Sequence, residues 1–336
     1  MLISSLSYYF IERPFRNKKI ISLRKFIISL IITIIGLISF NSYIIYKNGL
    51  EERLPNILQN LKLSAVISDT DGTNGNVILI GDSHSGMLEY ELNEKLIKES
   101  FNFKRFKTRL YINNLNEYSY DTNQEDKSFT NKNLEIQEYL DNENDLIIVF
   151  HYRWSFRILS TQFDNEEGVK EYDNELEKYT DKIIKPTSEN INEKQRISLV
   201  RKSIVSSINS TLEKNHKVIL VYPVPENAFD PIRTFLGKYF LKHFDLNRNR
   251  EIPILSTSYD VYKKRHELIF EILDSIQNEN IYRVYPHKHF CDNQIKNRCV
   301  ANSRNTTYYN DDDHLSRPGS AFVVKDIVDI IKKIKD

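Results

Sequence analysis

A serine becomes a nucleophile only with a base in hydrogen-bond reach, so the informative residues here are one serine, the histidines and their neighbouring carboxylates. Ser83 lies in VILIGDSHSG, residues 77–86: four apolar residues, Gly81, Asp82, Ser83 and His84, then a second glycine at Gly86. A Gly-Asp-Ser turn closing an apolar strand lifts the serine above the sheet edge with its backbone N–H beside it. The N-terminus of a helix starting near Ser85 adds partial positive charge that favours a developing oxyanion. Asp and Ser are also ordinary helix caps, so the same residues suit a plain strand-to-helix turn. Of the eight histidines, only His314, in YYNDDDHLSRPGSAF, has an acid at a compelling local spacing. Asp311, three residues earlier, is close enough on one turn to hold the ring's Nδ1–H while Nε2 faces the serine. The three successive aspartates also fit a solvated turn, but not an EF-hand, whose glycine and glutamate spacing is missing; no metal site is expected. His84 adjoins the serine, and neighbours on a turn diverge, so it is read as a packing or substrate contact.

These residues need elements to hold them. Short apolar runs at 77–81, 145–150, 217–223 and 281–286, with a weaker one at 106–112, read as strands with apolar residues on both faces, the pattern of a covered parallel sheet. Helical periodicity falls at 85–99, 193–215, 261–277 and 319–335. Strand and helix alternate, which predicts an α/β layered fold with right-handed crossovers. Ser316 and Pro318 suit the start of the last helix, whose apolar face includes Phe322, Val323, Ile327, Ile330, Ile331 and Ile334. The stretch 164–200 is dense in Asp, Glu and Lys and reads as a solvated insertion, with a lid over the site as the lesser alternative.

The chain carries 47 Lys and Arg against 46 Asp and Glu, and this balance gives no case for a nucleic-acid partner. Charge is nevertheless unevenly placed. Residues 26–45, FIISLIITIIGLISFNSYII, hold no charge over 20 positions, which as a helix span roughly 30 Å, the thickness of a bilayer core. Arg13, Arg16, Lys18, Lys19, Arg24 and Lys25 precede this stretch, and the residues after it carry no net charge. The positive-inside rule then puts the N-terminus in the cytoplasm and everything past residue 48 outside it, at the cell membrane. Cys291 and Cys299 fit that placement as a disulfide closing a short loop, with two unrelated thiols as the alternative.

GDSH after the first strand and DxxHLS before the last helix resemble the SGNH (GDSL-type) hydrolase superfamily. The resemblance implies a three-layer α/β/α fold with a mostly parallel sheet, with Ser83 as nucleophile, His314 as general base and Asp311 as its orienting acid. More specifically, the chain is similar to the carboxyl-terminal part of bacterial two-domain membrane acyltransferases that O-acetylate surface polysaccharides. LSYYFIERPFR at 6–16 resembles the end of their multi-helix membrane domain, and HYRWSF at 151–156 resembles their RW-containing block. The cysteine pair precedes DDDHLS, as in that family. The likeness divides the chain into a membrane-domain remnant at 1–18, a transmembrane helix at 19–47, a linker at 48–75 and an extracytoplasmic catalytic domain at 76–336. Nearly all of the multi-helix domain has no counterpart, Met1 falling just before its last signature, so acyl-donor chemistry attaches to no residue here. The superfamily's oxyanion glycine and asparagine have no counterpart either. The Ser83 N–H remains as one donor, with Arg153 as a candidate second.

The expectation is acyl, chiefly acetyl, transfer to a surface polysaccharide or oligosaccharide hydroxyl through a Ser83 acyl-enzyme. No cofactor is expected on this domain; acetyl-CoA used by a separate multi-spanning acyltransferase subunit is the candidate source of the acyl group. Tyr152 and Trp154 are candidate sugar-stacking residues, although a single tryptophan is more often part of a core. The rivals are an esterase using the same triad, and a non-catalytic membrane-tethered sugar-binding relic.

Overall fold

The computed structural model describes residues 8–13, 21–47, 72–168, 182–187, 191–235 and 253–335. Two compact units, Met1–Leu54 and Pro55–Asp336, divide the chain. The first holds a π-helical turn, Tyr8–Glu12, and a helix α1, Leu23–Tyr46, capped by Ser22, whose side chain accepts from the Lys25 N–H. Helix α1 buries no side chain, and its mean hydropathy of 2.1 over an 18-residue window makes it long and apolar enough to cross a bilayer. Two of its polar side chains are satisfied within the helix: Thr33 donates to the Ser29 carbonyl at 2.9 Å and Asn41 to the Leu37 carbonyl at 2.8 Å. That is the arrangement hydrocarbon demands, since lipid offers no partner to a polar group. Most of the expected remnant at 1–18 and of the linker at 48–75 lies outside the described residues.

The second unit is built on β1 (Asn76–Gly81), α2 (Ser83–Lys98), β2 (Asn102–Lys107), β3 (Asn116–Ser119), α3 (Lys127–Asn142), β4 (Ile147–His151), α4 (Trp154–Leu159) and β5 (Lys182–Lys185). It continues through α5 (Glu193–Leu212), β6 (Lys217–Val221), α6 (Pro231–Phe235), β7 (Ser256–Ser258), α7 (Tyr259–Asp274), β8 (Ile281–Val284), α8 (His287–Phe290), β9 (Arg298–Val300) and α9 (Arg317–Lys335). Five strands form one parallel sheet in the order β2-β1-β4-β6-β8. Successive strand residues point to opposite faces, so each apolar run feeds two cores at once. Ile78, Ile80, Ile148, Phe150, Val218 and Leu220 face one core, closed by α3, α5 and α7 through Ile136, Ile204 and Ile269. Val77, Leu79, Ile147, Val149, Ile219 and Val221 face the other, closed by α2 and α9 through Leu88, Leu92, Val323 and Ile327. This is the expected three-layer α/β/α architecture, preceded by one helix capable of spanning a membrane.

Where sequence and structure part, the causes are local. The second strand ends at Lys107 rather than crossing 106–112. After Thr108, whose N–H still donates to the Gly81 carbonyl at 2.9 Å, Leu110, Tyr111 and Ile112 leave the ladder and pack into the core as loop. Helix α3 escapes the periodicity reading because its buried face, Phe129, Asn133, Ile136 and Leu140, is only half apolar beyond its ends. The stretch 164–200 is not wholly a solvated insertion: β5 pairs antiparallel with β3, and α5 begins at Glu193. Cys291 and Cys299 form the expected disulfide, against which Tyr262 of α7 packs. Helix α9 docks closely because Gly319 has no side chain; a Cβ there would lie 2.1 Å from the Tyr308 carbonyl oxygen.

Candidate active site

The Ser83 turn is set by a glycine. A Cβ on Gly81 would sit 1.8 Å from the His151 carbonyl oxygen, so only glycine lets the end of β1 lie this close to β4. Asp82 then caps α2, its side chain accepting from the His84 N–H at 3.0 Å. The same buried carboxylate pairs with Arg157 Nε at 2.8 Å and accepts from the Arg153 N–H at 3.2 Å. Burial alone would raise the Asp82 pKa, but the Arg157 charge and His84 hold it below its usual value. Asp82 is therefore a fixed anion that ties the turn to the loop after β4. Arg105 of β2 braces the turn from the other side, donating to the Asp82 carbonyl at 2.9 Å and to Ser85 Oγ at 3.1 Å. Ser83, between two buried neighbours, is exposed at the first position of α2. That position's N–H has no partner within the helix, as an oxyanion donor requires. Ser83 opens into a cleft of about 700 Å³ lined also by Lys107, Thr108, Arg109, Phe129, Lys132 and Arg157.

The second part of the site is the loop before α9. The Asp311 carboxylate accepts from the backbone N–H groups of Asp313, at 3.0 Å, and His314, at 2.7 Å, closing a tight turn. That turn brings His314 Nδ1 to 3.0 and 3.1 Å from the two Asp311 oxygens. A second carboxylate, Asp313, puts Oδ1 2.6 Å from the same nitrogen. Burial would lower the His314 pKa, but the hydrogen bonds and charges of Asp311 and Asp313 outweigh it and push it up to about 10. Ser316 fixes the loop's far end by donating to the Thr307 carbonyl at 2.7 Å, and the Leu315 N–H reaches Met87 of α2 at 3.0 Å. The His84 and His314 ring centres lie 5.1 Å apart, so the Ser83 turn and the His314 loop meet.

Four expected contacts with ligand are corrected. Tyr152 and Trp154 are not sugar platforms: they are 1% and 2% exposed, and their polar atoms are used inside. Tyr152 Oη accepts from the Tyr111 N–H at 3.2 Å, and Trp154 Nε1 donates to the Val221 carbonyl at 2.9 Å. His84 is buried as well, with Nε2 3.2 Å from Asp313 Oδ2, so it meets the protein and not a substrate. Arg153 is not an oxyanion donor: its N–H is committed to Asp82, and its guanidinium to Glu226 and to Asp313, the latter at 2.8 Å.

Sequence reasoning missed the charges that support the site. Glu226, buried after β6, pairs with Arg153 and Arg265; burial opposes its ionisation, but the two arginines bring its pKa down to about 2. Ser155, His266 and Glu226 imitate a triad, with Ser155 Oγ 2.6 Å from His266 Nδ1. That group is sealed, Ser155 being 1% exposed, and burial drives the His266 pKa down to about 3. His84, Asp313 and His314 also bring three ligand-type atoms together, but the Arg153 guanidinium already supplies the positive charge there. Nothing in the repetitive run DDD distinguishes Asp313, which is buried, from Asp311 and Asp312, which are half-buried.

An exposed serine at the carboxyl end of the first strand, and a histidine backed by carboxylates before the last helix, define an α/β domain of the SGNH-hydrolase type. Residues 56–329 match the family described as SGNH domain (fused to AT3 domains), and the chain belongs to that family. Among solved structures it is similar to the periplasmic domain of a lipopolysaccharide acetyltransferase from Salmonella ser. Paratyphi A, at 15% identity and TM-score 0.45, covering 78% of this chain and 85% of that one. It is also similar to the acetyl xylan esterase AlAXEase, at 12% identity and TM-score 0.35, covering 76% and 98%. A possible lipase from Chitinophaga pinensis DSM 2588 follows at 11% identity and TM-score 0.30, covering 77% and 98%. No curated protein sequence matches the chain.

Proposed function

We propose that this protein transfers an acyl group, chiefly acetyl, to a hydroxyl of a cell-surface polysaccharide through a Ser83 acyl-enzyme. The observation that carries this reading is exposed Ser83 on the turn that meets the loop of His314, a histidine whose Nδ1 is held by the carboxylate of Asp311. His314 Nε2, on the opposite edge of the ring, takes the Ser83 proton as Ser83 Oγ attacks the acyl carbonyl. The tetrahedral oxyanion forms beside the Ser83 N–H at the positive end of α2, and Asp311 steadies the imidazolium. His314 returns the proton to the departing group, the acyl-enzyme forms, and a sugar hydroxyl repeats the sequence in reverse with His314 again as base.

Membership of a family fused to AT3 domains supports an acyl donor supplied from a multi-spanning membrane acyltransferase, acting as a partner of this domain. Helix α1 and the basic residues before it support a single-pass anchor with the catalytic domain outside the cytoplasm. Esterase action is the second reading, favoured by one feature: the cleft beside Ser83 is lined mostly by polar and charged side chains, which admit water as acceptor.

The test is to incubate the full chain in detergent with an activated acetyl ester, with and without acceptor oligosaccharides. Acetylated sugar is the expected product, and acetate alone assigns the esterase. Ser83→Ala is expected to lose at least about 1,000-fold in rate. Neither acetylated sugar nor released acetate above background, with Ser83→Ala and the unmodified chain alike, defeats both enzymatic readings and leaves a sugar-binding module.

A further inference from the structure

Asp313 is a buried carboxylate that joins several parts of the site. It is 4% exposed, and its two oxygens receive donors from three separate parts of the fold. Oδ1 lies 2.6 Å from His314 Nδ1; Oδ2 lies 3.2 Å from His84 Nε2 and 2.8 Å from Arg153 Nε. His84 follows Ser83 directly in sequence, and its other ring nitrogen, Nδ1, is buried with no hydrogen-bond partner. Asp313 thus fixes how the His84 ring sits: the carboxylate accepts, so Nε2 carries the proton. Asp311, the acid at the expected spacing, belongs to the same turn as His314 and spends its carboxylate there, on the backbone N–H groups of Asp313 and His314 and on His314 Nδ1.

We propose that Asp313 is a positioning residue that shares His314 Nδ1 with Asp311 and, through His84, clamps the base loop to the turn that carries Ser83. The proposal rests on the reading of Ser83 and His314 as nucleophile and base. One carboxylate holds the ring from within its own loop; the other sets the distance between base and nucleophile. The hydrogen bonds of His314 and His84, and then the Arg153 charge, keep Asp313 ionised despite its burial, and Glu226 pairs with Arg153. The charged and titratable groups facing this cluster are His84 from α2, Arg153 after β4, Glu226 after β6, Arg265 and His266 from α7, and Asp311 and Tyr309 from the loop itself.

The deciding measurement is the titration of the His314 imidazole by NMR in the full chain in micelles, read alongside the pH dependence of kcat/KM for 4-nitrophenyl acetate. Removing a carboxylate that stabilises the imidazolium makes the neutral base available at lower pH. Asp313→Asn is therefore expected to move both the imidazole pKa and the acid limb of kcat/KM down by about one pH unit, with a rate loss of about tenfold or more. Asp313→Glu is expected to restore the acid limb in part. Asp311→Asn, at a half-exposed position where the amide oxygen still closes the turn, is expected to leave the His314 pKa above the ordinary value near 6.5. A fall to about 6.5 in Asp311→Asn, or an unmoved titration in Asp313→Asn, overturns the proposal. Ester hydrolysis that survives Ser83→Ala overturns the nucleophile assignment instead, while the imidazole titration still decides what Asp313 does.

Discussion

At the residue scale the site depends on a few positions where no other side chain fits. Gly81 is the sharpest, because a methyl group there would overlap the His151 carbonyl. Gly81→Ala is expected to cost about 1–3 kcal/mol or more and to shift the Ser83 turn; thermal melting and ester hydrolysis should fall together. A stable, fully active Gly81→Ala would show that the end of β1 has room to move. Ser83 at a strand end, and Asp311 three residues before His314, could be picked out in the sequence as candidates because each of those two signals is local. Asp313, Arg153 and Glu226 were not legible there, since their roles arise from neighbours 70 to 230 residues away that only the folded chain supplies. Tyr152 and Trp154 misled for the same reason. An aromatic residue after a strand looks alike whether it faces a cleft or, as here, fills the interior.

At the element scale the apolar runs located four of the five sheet strands closely, because a strand buried on both faces has no polar positions to blur its pattern. The edge strand β2, NFKRFK, reads weakly because its outer positions carry lysine and arginine, which suit an edge. Helix α3 went unmarked because polar Asn133 interrupts the buried stripe of Phe129, Ile136 and Leu140. The Cys291–Cys299 bridge joins the turn before β9 to β9 itself, beside the short β7–β9 ladder. Its loop is short, with a separation of 8 residues, so its reduction is expected to cost about 2–3 kcal/mol, seen as a lower melting temperature with reductant. The site lies on other elements, so kcat at temperatures well below melting should hardly change; a matching loss of kcat would tie the bridge to catalysis.

At the scale of the whole molecule, the buried ionisable groups set how stability depends on pH. Burial drives the pKa of His151 and His266 down to about 3 and that of His287 to about 4, so the folded chain keeps them neutral where the unfolded chain is protonated. Stability is therefore lost as pH falls below about 6.5, and lost further below about 4, where Asp82, Glu226 and Asp313 must give up charges that the fold stabilises. His314 has the opposite sign: its contribution is complete below about 6.5 and disappears as pH rises towards about 10. Urea unfolding of the full chain across pH should show greatest stability near pH 6.5, with a steep acid side and a shallow alkaline one; a flat profile from pH 4 to 7 would contradict this. The link between His84 and Asp313 spans 229 residues, and α9 is pinned to α2 by Arg317 on Glu94 at 2.8 Å. A chain still being made, or stopped short of residue 311, carries Ser83 without His314 and leaves Arg153 and His84 without the carboxylate they pair with. On the proposed mechanism, synthesis itself acts as the safety catch, and the serine is armed only when the last two dozen or so residues have arrived and folded back onto the first helix of the domain.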